Sequence, residues 1–173
     1  MGLGFDPISS MEDIYWIPKK RYKIMKSYMP QVGSRGLDMM SRTCTVQANF
    51  DYTSESDLVK KFVVSNRIQS FVIAMFCNSP FREMKHNGYL SNRVLTWSDT
   101  DRDRCGIKEI FINKNFSIEE YVDFALDVPN YFLEIDNNYV DTTKYSFNQI
   151  LKRQTNNKLI DNYESLKINK NKL

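Results

Sequence analysis

Thr43-Cys-Thr-Val-Gln-Ala-Asn-Phe-Asp-Tyr52 alternates without a break. Successive side chains of an extended chain point to opposite faces, so Thr43, Thr45, Gln47, Asn49 and Asp51 share one side and Cys44, Val46, Ala48, Phe50 and Tyr52 the other. This period of two predicts a strand with an apolar back and a polar front. The front can be read as the solvated side of an antiparallel sheet or as the lining of a cleft. Five hydrogen-bonding side chains with no Lys or Glu among them favour the cleft. Directly afterwards, Thr53 or Ser54 is placed to cap a helix, with Asp57 three residues beyond Ser54 as in a capping box. Leu58, Phe62, Phe71, Val72 and Met75 then form a broad apolar stripe as far as Phe76. A strand feeding a long helix predicts an α+β domain.

Towards the N-terminus, Pro18 suits the first position of a helix over Lys19–Met29, with Pro30 ending it and Gly33 and Gly36 marking a turn. Towards the C-terminus, Asn78-Ser79-Pro80-Phe81 and Asn87-Gly88 are turn signals. From Tyr89 to Gly106 a charged loop is expected, containing Arg93, Trp97, Asp99, Asp101, Arg102, Asp103 and Arg104. Such a run is either a solvated ion network or a set of guanidinium forks held by aspartates to receive carboxylate or phosphate oxygens. Beyond it, Ile107–Ile112 reads as a strand, Ser117-Ile-Glu-Glu120 as the capping box of a helix ending before Pro129, Tyr131–Val140 as a hairpin and Ser146–Lys152 as a short helix.

The 173 residues, 42% of them apolar and 26% charged, match one ordinary globular unit. The longest uncharged run, Ile68–Pro80, includes Gln69, Ser70, Asn78 and Ser79 and is too short and too polar to cross a bilayer, so no membrane partner is expected. No basic stretch followed by an apolar core opens the chain, and three cysteines without a CxxC pair argue against a zinc site and a disulfide framework. A cytoplasmic location is the resulting expectation. The formal charge of +3 arises in the last residues: 152–173 hold six basic and two acidic side chains, whereas 1–151 hold 18 basic and 19 acidic. Residues 1–151 are therefore expected to be the folded unit, 152–173 a basic polar tail, and nucleic acid not a partner.

The ordered blocks Trp16-Ile-Pro-Lys-Lys-Arg-Tyr-Lys-Ile-Met25, Gly33-Ser-Arg-Gly-Leu-Asp-Met-Met40, Thr43-Cys-Thr-Val-Gln47, Asn78-Ser-Pro-Phe81, Asn87-Gly-Tyr-Leu-Ser91, Trp97-Ser-Asp-Thr-Asp101 and Tyr121-Val-Asp-Phe-Ala-Leu-Asp-Val-Pro129 resemble the central part of plant-type and proteobacterial glutamate-cysteine ligases, over about residues 1–151. The resemblance implies a partial glutamine-synthetase-like domain, in which a curved antiparallel sheet forms a funnel with helices on its outer face. It implies ATP-dependent joining of the L-glutamate γ-carboxylate to L-cysteine through a γ-glutamyl phosphate, the first step of glutathione synthesis, with Mg2+ as cofactor. Carried over by position, Thr43, Thr45 and Asn49 are expected to bind substrate, Gln47 and Asn49 to serve metal and nucleotide phosphates, and Gln47 to meet magnesium or its water. Arg93 and Arg104 are expected to hold the glutamate carboxylates or the phosphoryl group, and Trp97 to wall the pocket. The resemblance gives no role to His86, the lone histidine, and leaves Asn78 and Ser79 to fix their turn.

Family enzymes are well over twice this length, and the resemblance places their magnesium-binding glutamates upstream of anything matching Met1. The alternatives are therefore a non-catalytic remnant, a split subunit needing a partner chain, or a related ligase using another amine acceptor. A sheet cut from a larger funnel exposes edges, so self-association or a completing partner is expected.

Overall fold

The computed structural model describes residues 2–135 and 137–155. They form helices and two small antiparallel hairpins, an α+β arrangement, in two compact units that divide between Tyr121 and Val122.

In the first unit, α1 (Lys20–Val32) begins one residue later than expected, with Pro18 ahead of its N-cap Lys19. It also runs through Pro30. A proline near the last turn removes only one late N–H bond, so two further residues remain helical. The helix α2 (Gly36–Ser41) crosses close over α1. A Cβ on Gly36 would stand 2.5 Å from the Cβ of Met29, which is fully buried there. At the end of α2, Arg42 is buried beneath the ring of Phe5 and pairs with buried Asp38; its Nη1 also reaches Glu83 Oε1 at 2.9 Å and the Ser9 carbonyl at 2.8 Å.

The segment expected to be a strand departs from that reading. Thr43 makes one bridge to Phe5, and the Cys44 N–H donates to the Gly4 carbonyl at 3.1 Å; beyond this, residues 45–52 belong to no helix or strand and make no β-bridge among the described residues. Alternation specifies which side chains share a face, whereas a strand also needs a neighbouring backbone, and none lies alongside here. Val46 is 98% exposed and Phe50 77%.

The long helix forms as read: α3 (Glu55–Phe76) starts where Ser54 Oγ accepts from the Asp57 N–H at 3.2 Å, while the Asp57 carboxylate accepts from the Thr53 N–H at 3.0 Å. Its Phe62 anchors an aromatic cluster, stacked on Phe116 at 5.0 Å between centroids and edge-on to Phe111 at 5.1 Å and Tyr121 at 5.6 Å. Its C-terminal half has no such cover among the described residues, and Phe71, Met75 and Phe76 stand exposed.

A hairpin of β1 (Phe81–Arg82) and β2 (Lys85–His86) turns through Glu83 and Met84, both left-handed at φ 53° and 61°. Such a turn normally takes Asn or Gly. Here Arg42 holds the Glu83 side chain and the Pro7 carbonyl accepts from the Met84 N–H at 2.7 Å. Part of the expected loop 89–106 is helical, α4 (Asn92–Ser98), because Ser91 Oγ caps it by accepting from the Val94 N–H at 3.3 Å. The expected strand at 107–112 is instead the single turn α5 (Glu109–Ile112). Phe111 on it joins the aromatic cluster, and that packing overrides the β-branched propensity of its neighbours.

The helix α6 (Ile118–Asp127) starts with the full capping box read from the sequence, Ser117 and Glu120 exchanging bonds of 3.0 and 3.3 Å, and crosses the division between the units. In the second unit, β3 (Phe132–Ile135) pairs with β4 (Asn138–Asp141), as expected, with Phe132 edge-on to Tyr139. A second capping box, Ser146 with Gln149, opens α7 (Phe147–Thr155), whose Ile150 is buried. The expected basic tail lies, beyond Thr155, outside the described residues.

Candidate active site

The geometry around Arg93 is built by the turn that precedes it in sequence. Ser79 is buried, its N–H donates to the Leu90 carbonyl at 3.1 Å, and its carbonyl accepts from the Asn92 N–H at 2.8 Å. Its hydroxyl oxygen accepts from the Arg93 N–H at 3.1 Å. Asn78 donates through Nδ2 to the Gly2 carbonyl at 3.0 Å. The Asn-Ser-Pro-Phe turn thus ties the N-terminal segment to the first turn of α4. Gly4 fits between them without a side chain: a Cβ there would lie 2.7 Å from Asn78 Oδ1 and 3.5 Å from Arg93 Cδ.

Three of the expected site residues come together. Arg93 donates through Nη2 to Thr45 Oγ1 at 3.2 Å, and its guanidinium lies 5.6 Å from the ring centre of Trp97, one turn along α4. Arg93 is half-buried and takes part in none of the ion pairs among the described residues. A guanidinium carries five donors, so a fork held by one hydroxyl and one ring retains donors and a full charge for an incoming carboxylate or phosphate.

The other expected residues are placed differently. Gln47 donates through Nε2 to Asn49 Oδ1 at 2.8 Å, which agrees with the shared face read from the alternation, and both are exposed. Thr43 donates to the Met39 carbonyl at 2.9 Å, closing the end of α2. Arg104 pairs with the buried carboxylate of Asp101 and lies 5.9 Å from the ring centre of Tyr28. Its charge is already balanced, so Arg93 and Arg104 are not equivalent anion forks. His86 is exposed, its Nδ1 accepting from the Gly88 N–H at 3.2 Å within the turn.

Sequence reading passed over Asn92 and Arg35. Asn92 is fully buried and its Oδ1 accepts from Arg35 Nη1 at 3.2 Å. A polar residue directly before a candidate fork was the available signal, but burial decides it. Nearby, the Ser34 hydroxyl donates to the Asp99 carboxylate, and this bond, with the Arg35 charge adding to it, holds the Asp99 pKa below the ordinary carboxylate value.

The described residues contain no group of three or more His, Cys, Asp or Glu side chains able to hold a metal ion. Magnesium requires near-octahedral oxygen ligation, and one exposed amide at Gln47 does not supply it. The residues present therefore do not fit the cation by themselves.

Residues 1–165 match the model of the glutamate-cysteine ligase family 2 (GCS2). Over 151 residues, 87% of this chain, it is 51% identical to the chloroplastic glutamate–cysteine ligase of Brassica juncea and 50% identical to that of Arabidopsis thaliana, covering 29% of each. Against glutamate–cysteine ligase A, chloroplastic, of Oryza sativa subsp. indica the identity is 49%, over 31% of that protein. The chain thus spans about three-tenths of the length of the curated relatives it matches. Their chloroplastic names overturn the cytoplasmic expectation, because reduced cysteines show a thiol's chemistry and carry no address. By the match along nearly its whole length, the chain belongs to glutamate-cysteine ligase family 2.

Proposed function

We propose that this chain forms part of the glutamate and phosphoryl pocket of an ATP-dependent glutamate–cysteine ligase. The observation that supports it best is Arg93, a guanidinium positioned by Ser79, Thr45 and Trp97 with no carboxylate partner among the described residues. A carboxylate is a poor electrophile. Its γ-oxygen must first accept the terminal phosphoryl group of ATP, giving ADP and an acyl phosphate. The cysteine amine then attacks the acyl carbon, phosphate leaves, and γ-glutamylcysteine forms. Negative charge accumulates at both steps, and a fixed donor facing it is typically worth about 2–4 kcal/mol of barrier.

In this reading Arg93 holds a substrate carboxylate or the transferring phosphoryl group, Thr45 and Trp97 set its direction, and Gln47 and Asn49 offer amide groups nearby in sequence. Arg104, balanced by Asp101, positions the loop. The segment 44–52 would be one strand of a glutamine-synthetase-like funnel whose other strands come from the rest of the family's length.

A second reading is favoured by that same segment. An unpaired edge with Val46 and Phe50 exposed suits a piece that acquires activity only when completed by further polypeptide. The two readings separate in one assay. The chain is incubated with ATP, magnesium, L-glutamate and L-cysteine, and ADP and γ-glutamylcysteine are measured, with and without a polypeptide carrying the remaining length of a relative. Product from the chain alone supports the first reading, and product only on addition supports the second. An Arg93→Ala chain as active as the parent in either format would refute the assignment of Arg93.

A further inference from the structure

The helix α4, which carries Arg93 and Trp97, has seven residues, and its last turn contains no basic side chain to meet the free carbonyls. Isolated helices shorter than about 12–15 residues are marginal in water. Ser91 secures the start of α4, but its far end and its direction have to be imposed by the fold.

One short segment meets α4 at both ends. Gly33, Ser34 and Arg35 join α1 to α2. The Arg35 N–H donates to the carbonyl of Asp99, the residue that closes α4, at 3.0 Å, and the Ser34 hydroxyl donates to the Asp99 carboxylate. Gly33 permits the approach, since a Cβ there would stand 2.5 Å from the carbonyl oxygens of Asp99 and Thr100. From the same segment Arg35 Nη1 reaches Asn92 Oδ1, at the opposite end of α4, at 3.2 Å.

These contacts restrain different motions. The bonds at Asp99 stop the last turn from fraying and the helix from sliding along its axis, and the bond at Asn92 opposes rolling. Asn92 and Thr96, four positions apart, are fully buried on one face. Arg93 and Trp97 each follow one of them by a single residue, so they lie about 100° round the helix, on the face turned to Thr45. A loosened or rolled α4 therefore carries the guanidinium away from Thr45 Oγ1, which it meets at 3.2 Å. The Ser79 hydroxyl holds only the Arg93 main chain and cannot replace that restraint.

We propose that Ser34 is a positioning residue for Arg93: through Asp99 it latches the end of α4 and so keeps the guanidinium against Thr45 and Trp97. This deepens the ligase reading and rests on it only for which anion Arg93 receives. Ser34 is exposed, so its hydroxyl can be removed without opening the core.

The test is modification of the whole chain by phenylglyoxal, which condenses with accessible guanidinium groups, with the rate at each arginine followed by peptide mass spectrometry. Ser34→Ala, shown by circular dichroism to be folded like the parent, should raise the rate at Arg93 at least about threefold, as the loss of one ordinary hydrogen bond would give. Arg21, exposed on α1, should react as in the parent. Ser34→Thr retains a hydroxyl and should restore the parent rate at Arg93. An unchanged rate at Arg93 in Ser34→Ala would overturn the proposal, and so would an equal rise at Arg21, which marks general loosening. Isothermal titration with L-glutamate separates this proposal from the ligase reading. Ser34→Ala should weaken binding in the parent and cause no further loss in an Arg93→Ala background; the same loss in both backgrounds would overturn the action through Arg93. Faster modification of Arg93 in a chain that binds no glutamate would uphold the latch and refute the ligase reading alone.

Discussion

Arg93 and Thr45, 48 positions apart in sequence, are joined by a 3.2 Å hydrogen bond from the guanidinium to the hydroxyl. The bond fastens the otherwise unpaired segment after Thr43 to α4, and it leaves the cation without a carboxylate among the described residues. A fork so held is pre-organised for an anion, because little side-chain freedom remains to be lost when one arrives.

Arg93→Lys should therefore weaken binding of L-glutamate or a phosphate-bearing ligand at this site by about tenfold or more, because a point charge reproduces neither the fork nor its stacking. Thr45→Val should give a smaller loss in the same direction. Isothermal titration with each ligand checks both, and equal affinities for parent and Arg93→Lys chains would remove Arg93 from the site.

Arg42 offers the contrasting case, a buried arginine that is fully engaged. Arg42→Met removes the buried partner of Asp38, leaving it only the more distant Arg82, and takes away one support of the Glu83 turn. Breaking a buried pair from one side costs about 3–5 kcal/mol, enough to lower the urea midpoint sharply or to leave the chain unfolded. The double change Arg42→Met/Asp38→Leu should recover part of the loss.

Along α3, Phe71 and Met75 are 73% and 75% exposed. Phe71→Lys with Met75→Glu should shift thermal stability little, since surface changes usually stay within about 0.5 kcal/mol. It should nonetheless reduce concentration-dependent self-association in sedimentation velocity. A large fall in melting temperature would mean that these side chains are packed in the isolated chain.

Carboxylates held below their ordinary pKa make stability fall in acid, and Glu83 and Asp99 are two of them. Glu83 is held below its ordinary pKa first by the Arg42 hydrogen bond, and Asp99 first by the Ser34 hydroxyl. A carboxyl group whose pKa is depressed by folding stabilises the fold above its unfolded pKa, near 4, and loses that contribution as pH falls through the lower folded value. Denaturant midpoints should thus be flat from pH 7 to about 5 and decline below about 4. Glu83→Gln and Ser34→Ala should each flatten the acid limb of that curve.

The cysteines should differ in reactivity. Burial, with the Asp101 charge adding to it, pushes the Cys105 thiol above its ordinary pKa, whereas Cys44 lies exposed. Iodoacetamide at pH 8 should label Cys44 before Cys105, as followed by peptide mass spectrometry.

Local chemistry was legible wherever a few adjacent residues suffice. Ser54 with Asp57, Ser117 with Glu120 and the turn at Gly88 all act within four positions, and each occurs as read. Ile107–Ile112 failed because its β-branched residues state a preference, while Phe111 is drawn into a cluster with Phe116, five positions on, and with Phe62 from a distant part of the chain. Thr43–Tyr52 is intermediate. Its alternation is visible in the Gln47–Asn49 bond, yet the sheet it implied has no neighbouring strand among the described residues.

The order of residues alone determined the family, the caps, the turns and the faces of the extended segment, since these depend on identity and spacing along the chain. Only the tertiary structure decided that Arg93 keeps its charge available while Arg104 spends its own on Asp101. Whether a charge is neutralised depends on which groups the fold brings within a few ångströms, and that proximity is not written in neighbouring positions.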